Sequence, residues 1–141
     1  MHDFPVSDVW LPHRVSYGET DTMGVLYYAE YLHLFERSRN EYIRHSGVSY
    51  AAMEKKGIFL PVREAQCRYR VPARYDDLLY VRVGVSEWGR ASLCFVYEIR
   101  DQDKTQLLAE GMTKHVFVGR EGRPVSVPSW FREICQISRG A

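Results

Sequence analysis

The feature that most constrains the fold is one long amphipathic helical segment followed by four β-type segments. Apolar side chains recur at three- and four-residue steps over residues 28–46, and Gly47 can end the helix in a left-handed conformation. Segments rich in β-branched and aromatic residues follow at 59–71, 78–88, 90–101 and 106–118. Because only one long helix is available to cover a sheet face, we predict an α+β fold in which an antiparallel sheet wraps around that helix.

The remaining segments complete this predicted arrangement. Short polar connections, such as residues 101–104, require consecutive strands to be antiparallel neighbours. Residues 10–17 predict an edge or entry strand, because Pro12 cannot donate to a central ladder. Ser49 as N-cap and Gly57 as terminator predict a short second helix. We also expect a loose N-terminal arm over residues 1–9 and a short C-terminal helix over residues 128–136.

Length and composition indicate one globular domain spanning residues 1–141. Hydrophobic residues make up 45% of the chain and charged residues 26%, and no repeat or linker marks a boundary. The net charge of +1 provides no overall field to attract nucleic acid or an anionic membrane, so we expect neither partner. No segment resembles a signal peptide or approaches the ~20 apolar residues of a membrane span, which predicts a cytoplasmic protein.

The cysteine and histidine patterns argue against disulfide and metal chemistry. The three cysteines are odd in number and lack paired spacing, which predicts reduced, structural thiols at Cys67, Cys94 and Cys135. The histidines share no metal-binding spacing. We therefore predict no metal site and no cofactor.

A carboxylate just ahead of the long helix is the candidate for chemistry. The first N–H groups of a helix have no internal partners, so they can meet the negative charge that develops on a carbonyl oxygen, such as that of a thioester. Asp21 can attack the same carbonyl carbon or take a proton from water, and Gly24 permits the tight turn between acid and helix. Aspartate here is more often a cap or turn residue, so spacing alone favours the structural interpretation.

The stretch YGETDTMGVLYYAEYLHLFERSRNEYIR, residues 17–44, resembles the acyl-CoA thioesterases of the 4-hydroxybenzoyl-CoA thioesterase family, including the YbgC-like group. The family pattern runs Y-x-x-T-D-x-x-G-x-V-Y-H/Y-A-N-Y-L-x-F-F-E-x-A-R. The likeness continues more loosely through residues 59–83 and 107–118 and covers about residues 10–132. It implies a hotdog fold, a five-stranded antiparallel sheet wrapped around one long central helix, and a homodimer that often forms a homotetramer.

The resemblance also implies catalytic roles. The aspartate of the motif falls on Asp21, and the backbone N–H that polarises the thioester carbonyl falls on Tyr28, a position where some family members have histidine. Glu30 stands where the family usually has asparagine. If Glu30 lies close to Asp21, like-charge repulsion disfavours the ionised acid and shifts activity to higher pH. If Glu30 points to solvent, it has no such effect.

The resemblance implies an acyl-CoA substrate, with an acyl carrier protein thioester as the alternative and water as the acceptor. The acyl group is either a small aromatic ring or a short to medium aliphatic chain. By family analogy, Phe59 opens the strand at the seam between subunits. Arg90 is the candidate for the phosphates of coenzyme A. The predicted substrate-binding residues are Tyr17, Gly24, Tyr27, Phe59, Pro61 and Arg90.

Two other functions stay open at this stage. A non-catalytic hotdog protein would bind an acyl thioester, or take part in an assembly, without hydrolysis. A dehydratase would share the fold, but its usual catalytic histidine and helix acid are not recognisable in this sequence. The T-D-x-x-G stretch ahead of the helix favours the thioesterase.

Overall fold

One antiparallel sheet organises the computed structural model, which describes residues 4–5 and 9–137. The strands in this part of the chain are β1 (Trp10–Arg14), β2 (Val62–Tyr69), β3 (Leu78–Trp88), β4 (Ser92–Arg100) and β5 (Leu107–Val116). The helices are α1 (Glu30–Arg44), α2 (Tyr50–Lys55) and α3 (Ser129–Ile137).

The strand order is β1-β3-β4-β5-β2, and each neighbouring pair is antiparallel. The short β1 and the longer β2 therefore form the two edges of the sheet. Helix α1 crosses one face, where alternate side chains of β3 and β4 are buried. The predicted α+β arrangement of a five-stranded antiparallel sheet around one long helix is confirmed.

Helix α1 lies close to the sheet because aromatic rings and a glycine match at the contact. The Phe35 ring stacks on the Tyr97 ring of β4 with centroids 4.3 Å apart and an interplanar angle of 9°. Gly111 of β5 lies beneath Phe35, and a Cβ at this position would overlap that ring and the carbonyl oxygen of Gln66. A larger residue at 111 would therefore push the helix away from the sheet or displace β2.

The boundaries of α1 and β1 differ from the prediction. Helix α1 begins two residues later and ends two residues earlier than predicted, because tight turns flank it. Before it, the N–H of Glu30 donates to the Tyr27 carbonyl and the N–H of Tyr31 to the Tyr28 carbonyl. Strand β1 ends at Arg14, and residues 17–19 form a single 3₁₀ turn in place of the predicted last residues of the strand.

The other elements follow the prediction with shorter ends. Strand β3 has the predicted bounds, whereas β2 starts at Val62. Phe59 makes only an isolated bridge with Val118. Pro61, which lies between Phe59 and the start of β2, has no N–H to continue a ladder. Ser49 caps α2 as predicted, since its hydroxyl accepts the N–H of Ala52 at 3.1 Å.

The chain ends also depart slightly from the prediction. Helix α3 starts at Ser129, one residue after Pro128, whose carbonyl accepts the N–H of Phe131. Most of the predicted N-terminal arm, residues 1–3 and 6–8, lies outside the described residues. Pro5 packs over Gly84 of β3, so this part of the predicted loose arm contacts the sheet.

Neither a membrane span nor a disulfide occurs within residues 4–5 and 9–137. No helix there is long and apolar enough to cross a bilayer. The three cysteines are free thiols: Cys94 and Cys135 are buried and Cys67 is half-buried. Burial raises the pKa of the Cys135 thiol to about 12, so this thiol stays protonated and packs as a core residue.

A directed chain of hydrogen bonds crosses the inner face of the sheet below α1. Arg39 donates to the Tyr97 hydroxyl at 3.3 Å, and that hydroxyl bonds Thr113. His115 Nδ1 lies 3.0 Å from the Leu60 carbonyl, which can only accept, so Nδ1 carries the proton and Nε2 accepts from the Thr113 hydroxyl at 2.8 Å. Burial lowers the pKa of His115 to about 4, and the Arg39 charge adds to this effect while the Leu60 carbonyl opposes it.

His115 makes folding sensitive to acid. The unfolded chain protonates this imidazole near its ordinary pKa of 6.5, whereas the folded chain does so only near 4. The unfolded state thus binds more protons in this window, so lowering the pH from 7 to 4 removes roughly 3 kcal/mol of the free energy of unfolding through this group. We expect urea denaturation of His115→Gln to show a correspondingly weaker pH dependence. Parallel profiles for the two proteins would contradict this assignment.

Candidate active site

The loop between β1 and α1 folds back on itself around Asp21. The N–H of Asp21 donates to the Val25 carbonyl at 2.9 Å, and the N–H of Gly24 donates to the Asp21 carbonyl at 3.0 Å. Gly24 has a φ of +78°, a left-handed conformation that residues with a Cβ rarely adopt. A backbone bridge between Val25 and Arg74 fixes the turn to the segment before β3. The tight turn predicted at Gly24 is therefore present.

The Asp21 carboxylate has one anchored oxygen and one open oxygen. Its Oδ1 accepts the N–H of Met23 at 2.8 Å and the N–H of Val25 at 3.4 Å. No residue in the described ranges donates to Oδ2. The side chain is half-buried. Asp21 thus acts as a turn residue through one oxygen and keeps the other available for a ligand.

The start of α1, which follows this loop, has open N–H groups. Among residues 4–5 and 9–137, no acceptor receives a hydrogen bond from the N–H of Tyr28 or of Ala29. The Tyr28 carbonyl is anchored, since it accepts the Tyr69 hydroxyl at 3.0 Å and the N–H of Tyr31 at 3.3 Å. Unpaired N–H groups at the positive end of a helix stabilise an anion or a developing oxyanion.

Exposed tyrosines surround this loop. The Tyr27 and Tyr28 rings lie 4.7 Å apart, and the Tyr17 and Tyr75 rings 5.8 Å apart. Tyr17 is 79% exposed and Tyr28 is 62% exposed, which leaves a wide apolar surface beside the acid. Interaction with Tyr28 raises the pKa of the Tyr27 hydroxyl, and the negative charge of Asp21 contributes to this shift.

A polar chain behind the loop holds it in place. Arg37 of α1 donates to His13 Nδ1 at 3.1 Å, which leaves the proton on Nε2, and Nε2 donates to Glu19 Oε1 at 2.9 Å. The same Oε1 accepts the N–H of Ser16 at 2.8 Å, and the Glu19 carbonyl accepts the N–H of Tyr27. Burial raises the pKa of Glu19, but the hydrogen bonds from Ser16 and His13 outweigh this effect and lower it. Glu19 therefore connects α1, β1 and the Asp21 loop as a carboxylate.

The predicted site residues fall into three places. Tyr17, Gly24, Tyr27 and Tyr28 lie on the same loop as Asp21. Phe59 and Pro61 instead line a cavity of about 510 Å³ beside α1 and α2. Arg90 lies in the turn after β3, at the end of the strand away from the Asp21 loop, roughly 30 Å along the strand. Its contact with coenzyme A stays a prediction.

Two residues beside the loop are site neighbours that only the folded chain reveals. Tyr69 of β2 bonds the Tyr28 carbonyl, and Arg74 pairs with Val25. Both lie more than forty positions from their partners in the sequence, and no local pattern marks such contacts.

Glu30 is half-buried, and within the described residues its carboxylate makes no ion pair and accepts no hydrogen bond, so both interpretations of Glu30 stay predictions. No group of three or more potential metal ligands occurs in the described ranges.

The sequence matches the thioesterase-like superfamily over residues 15–135. The chain belongs to this superfamily. Its relatives include the acyl-CoA thioesterase YbgC of Haemophilus influenzae, 37% identical over 119 residues that cover 83% of this chain and 86% of that protein.

Solved structures of thioesterases have the same fold as this superfamily member. The DHNA-CoA thioesterase of Staphylococcus aureus has a TM-score of 0.82 and 29% identity, covering 93% of this chain and 90% of that one. A mutant of 4-hydroxybenzoyl-CoA thioesterase in complex with 4-hydroxybenzoyl-CoA has a TM-score of 0.81 and 21% identity, covering 90% and 97%. These relatives confirm the predicted family, the hotdog fold and the class of thioester hydrolase.

Replacing Glu19 should lower the turnover rate, because Glu19 holds the Asp21 loop in position. In this superfamily member, Glu19→Ala removes the acceptor of the Ser16 and His13 hydrogen bonds, each worth about 1.5–3 kcal/mol for a charged acceptor. We expect kcat for acyl-CoA hydrolysis to fall at least about tenfold, because small displacements of reacting groups are costly. Glu19→Gln keeps a carbonyl oxygen for both donors and should restore most of the rate. Equal losses in the two variants would show that the charge, not the position, is required.

Proposed function

We propose that this protein is an acyl-CoA thioesterase that uses Asp21 as nucleophile or general base and the backbone N–H of Tyr28 as oxyanion donor. The observation that carries the proposal is that Asp21 has an open carboxylate oxygen and that an open N–H follows it at the start of α1. Both groups belong to one loop that hydrogen bonds hold at several points. The names of the relatives support the same reaction.

In the general-base route, Asp21 takes a proton from water as the water oxygen attacks the thioester carbon. The negative charge moves to the carbonyl oxygen, which accepts the N–H of Tyr28. Collapse of this intermediate breaks the carbon–sulfur bond, and the thiolate of coenzyme A takes the proton back from Asp21. In the nucleophilic route, an Asp21 oxygen attacks the same carbon and the carbon–sulfur bond breaks, which gives a mixed anhydride and the thiolate of coenzyme A. Water then hydrolyses the anhydride, which restores the Asp21 carboxylate and supplies the proton of the thiol. Both routes consume one water and release a carboxylic acid and a thiol.

The proposed substrates are small aromatic or short- to medium-chain acyl-CoA thioesters, with acyl carrier protein thioesters as the alternative. Support for an aromatic group comes from the exposed rings of Tyr17, Tyr27 and Tyr28 beside the acid. Relatives named for aromatic substrates include the DHNA-CoA thioesterase and the 4-hydroxybenzoyl-CoA thioesterase. An assay of free thiol release over a panel of acyl chains and aromatic thioesters separates these classes.

Asp21→Asn tests the catalytic assignment. The asparagine amide keeps a carbonyl oxygen for the N–H groups of Met23 and Val25, so the loop should fold as before. It cannot accept a proton or attack the thioester effectively, and we expect kcat to fall about 10²–10⁴-fold. Steady-state kinetics with several acyl-CoA thioesters, together with thermal denaturation, measure this effect.

The matched control is Asp103→Asn, which removes a carboxylate from the exposed β4–β5 hairpin. We expect its kcat to equal that of the wild-type protein. Wild-type rates in Asp21→Asn would remove the catalytic assignment. Tight acyl-CoA binding by the wild-type protein without thiol release would instead support the non-catalytic binding protein.

We propose further that the protein works as a homodimer, which can pair into a homotetramer, with β2 at the subunit seam. Strand β2 is an edge strand whose backbone ladder pairs only with β5 within the described chain, and seven of its eight residues are exposed. Tyr69 and Val62 add exposed apolar surface along it. Such an edge is normally paired or covered, because open N–H and C=O groups invite further strands.

Light scattering after size-exclusion chromatography tests the dimer. Ala65→Asp puts a charge in the middle of β2, where an isologous contact brings two copies of the same strand together. We expect the wild-type protein to elute as a dimer or tetramer and Ala65→Asp to shift towards monomer. Gln102→Asp adds the same charge on the exposed hairpin and should not change the mass. A monomeric wild-type protein would contradict the proposal.

A further inference from the structure

A groove runs along one flank of α1 away from the Asp21 loop. Its first part, about 260 Å³, lies beside the first turns of the helix and is lined by Leu32, Val62 and Ala65 among others. Its second part is the cavity of about 510 Å³ lined by Phe59 and Pro61. Glu36 and Arg39 line both parts, so the two cavities are adjacent, and we call them together the α1 groove.

The inner part of the α1 groove carries hydrogen-bond donors that are not fully used. The Tyr50 hydroxyl is buried, and within the described residues no acceptor takes its proton, because the neighbouring Arg39 guanidinium can only donate. Arg39 is half-buried, and its one described hydrogen bond goes to the Tyr97 hydroxyl. No carboxylate in the described ranges forms an ion pair with Arg39. A buried donor without a partner requires an explanation, and an oxygen atom of a ligand supplies one.

Acceptors lie on the outer side of the same space. Glu36 is about half exposed and lies 3.4 Å from His33, and Glu54 is exposed. Asn40 contributes an amide that can accept or donate. Two carboxylates and one guanidinium leave the lining with an excess of negative charge, which disfavours an anionic ligand.

We propose that the α1 groove binds the far end of a medium-chain acyl group that carries a hydroxyl at or near its end. This inference rests on the proposed thioesterase function and names a substrate class for the same site. The ligand hydroxyl accepts from Tyr50 or Arg39 and donates to Glu36 or Asn40. A neutral hydroxyl is the group that uses both the donors inside and the acceptors outside without adding charge.

The length of the groove agrees with a chain of this size. With the thioester at Tyr28, residues Glu36 to Arg39 lie roughly 12–16 Å further along the helix axis, at 1.5 Å per residue. An extended polypeptide advances about 1.2 Å per backbone bond, and an extended acyl chain advances by a similar length. An acyl chain of about ten or more atoms would therefore reach from the thioester to Glu36 and Arg39. A single-ring aromatic acyl group ends well before Arg39. Leu32 and Val62 line the stretch between, where methylene groups would pack.

Three thioesters of equal length test the proposal: decanoyl-CoA, ω-hydroxydecanoyl-CoA and the analogue with an ω-carboxylate. Asp21→Asn of the full-length protein allows binding to be measured by calorimetry without turnover. We expect the hydroxylated chain to bind about tenfold more tightly than decanoyl-CoA, the effect of one net hydrogen bond. In the wild-type protein, kcat/KM should show the same order.

Tyr50→Phe, added to Asp21→Asn, is the decisive variant because it removes a hydroxyl whose proton has no acceptor in the described chain and keeps the ring. We expect it to fold normally, to bind decanoyl-CoA unchanged and to lose the preference for the hydroxylated chain. Tyr80→Phe, on the sheet face opposite α1, is the matched control and should keep that preference.

The outcomes separate this inference from the proposed function. Equal binding of the hydroxylated and plain chains, a preference that survives in Tyr50→Phe, or tighter binding of the carboxylate would each overturn the inference. Equal binding of the two chains is also the result expected if a partner subunit fills the groove. Hydrolysis of both neutral chains at equal rates would leave the thioesterase proposal intact. A binding preference without hydrolysis by the wild-type protein would overturn the function and keep the hydroxyl site.

Discussion

The close packing of α1 on the sheet is the contact on which the other features depend. Phe35 stacks on Tyr97 because Gly111 leaves room beneath the ring, and this fixes the height of the helix above β4 and β5. The position of the helix in turn determines where its first N–H groups emerge and which flank stays open. The start of α1 and the α1 groove therefore both depend on this buried aromatic contact, while the hydrogen bonds of Glu19 and His13 attach the Asp21 loop to the helix.

The polar groups around α1 divide into those that are fully used and those that are not. Glu19 accepts from Ser16 and His13, and His115 is bonded through both nitrogens, so these groups hold the scaffold. Within the described chain, the N–H of Tyr28 and Oδ2 of Asp21 have no partners, and the proton of the Tyr50 hydroxyl has no acceptor. The cost of burying an unused polar group applies to Tyr50, whereas Tyr28 is exposed and Asp21 is half-buried. Open groups at the start of α1 and beside its flank support the proposed substrate that spans both.

The same flank of α1 also carries exposed apolar side chains. Edge strand β2 and side chains such as Tyr28, Leu32 and Val62 lie on this side of the molecule, and β2 contributes Tyr69 to the anchor of the Tyr28 carbonyl. A second subunit paired along β2 would lie next to the proposed site and reduce its access to water. Assembly and catalysis would then depend on the same edge strand, which links the two proposals physically.

The sequence by itself determined the order and type of the elements, because periodicity, caps and turn residues are local signals: the helix around Phe35, the cap at Ser49 and the turn at Gly24 could all be predicted. It also placed Asp21 and the Tyr28 amide only seven positions apart, but the resemblance to a known family, not this spacing, favoured a catalytic role for both. Only the tertiary structure showed that Phe59 and Arg90 lie away from the Asp21 loop. It also showed that Tyr69 and Arg74 contact this loop and that Arg39 and Tyr50 line the same groove. These arrangements depend on strand order and on the height of α1 above the sheet, which are set by contacts between residues far apart in the chain and leave no local pattern.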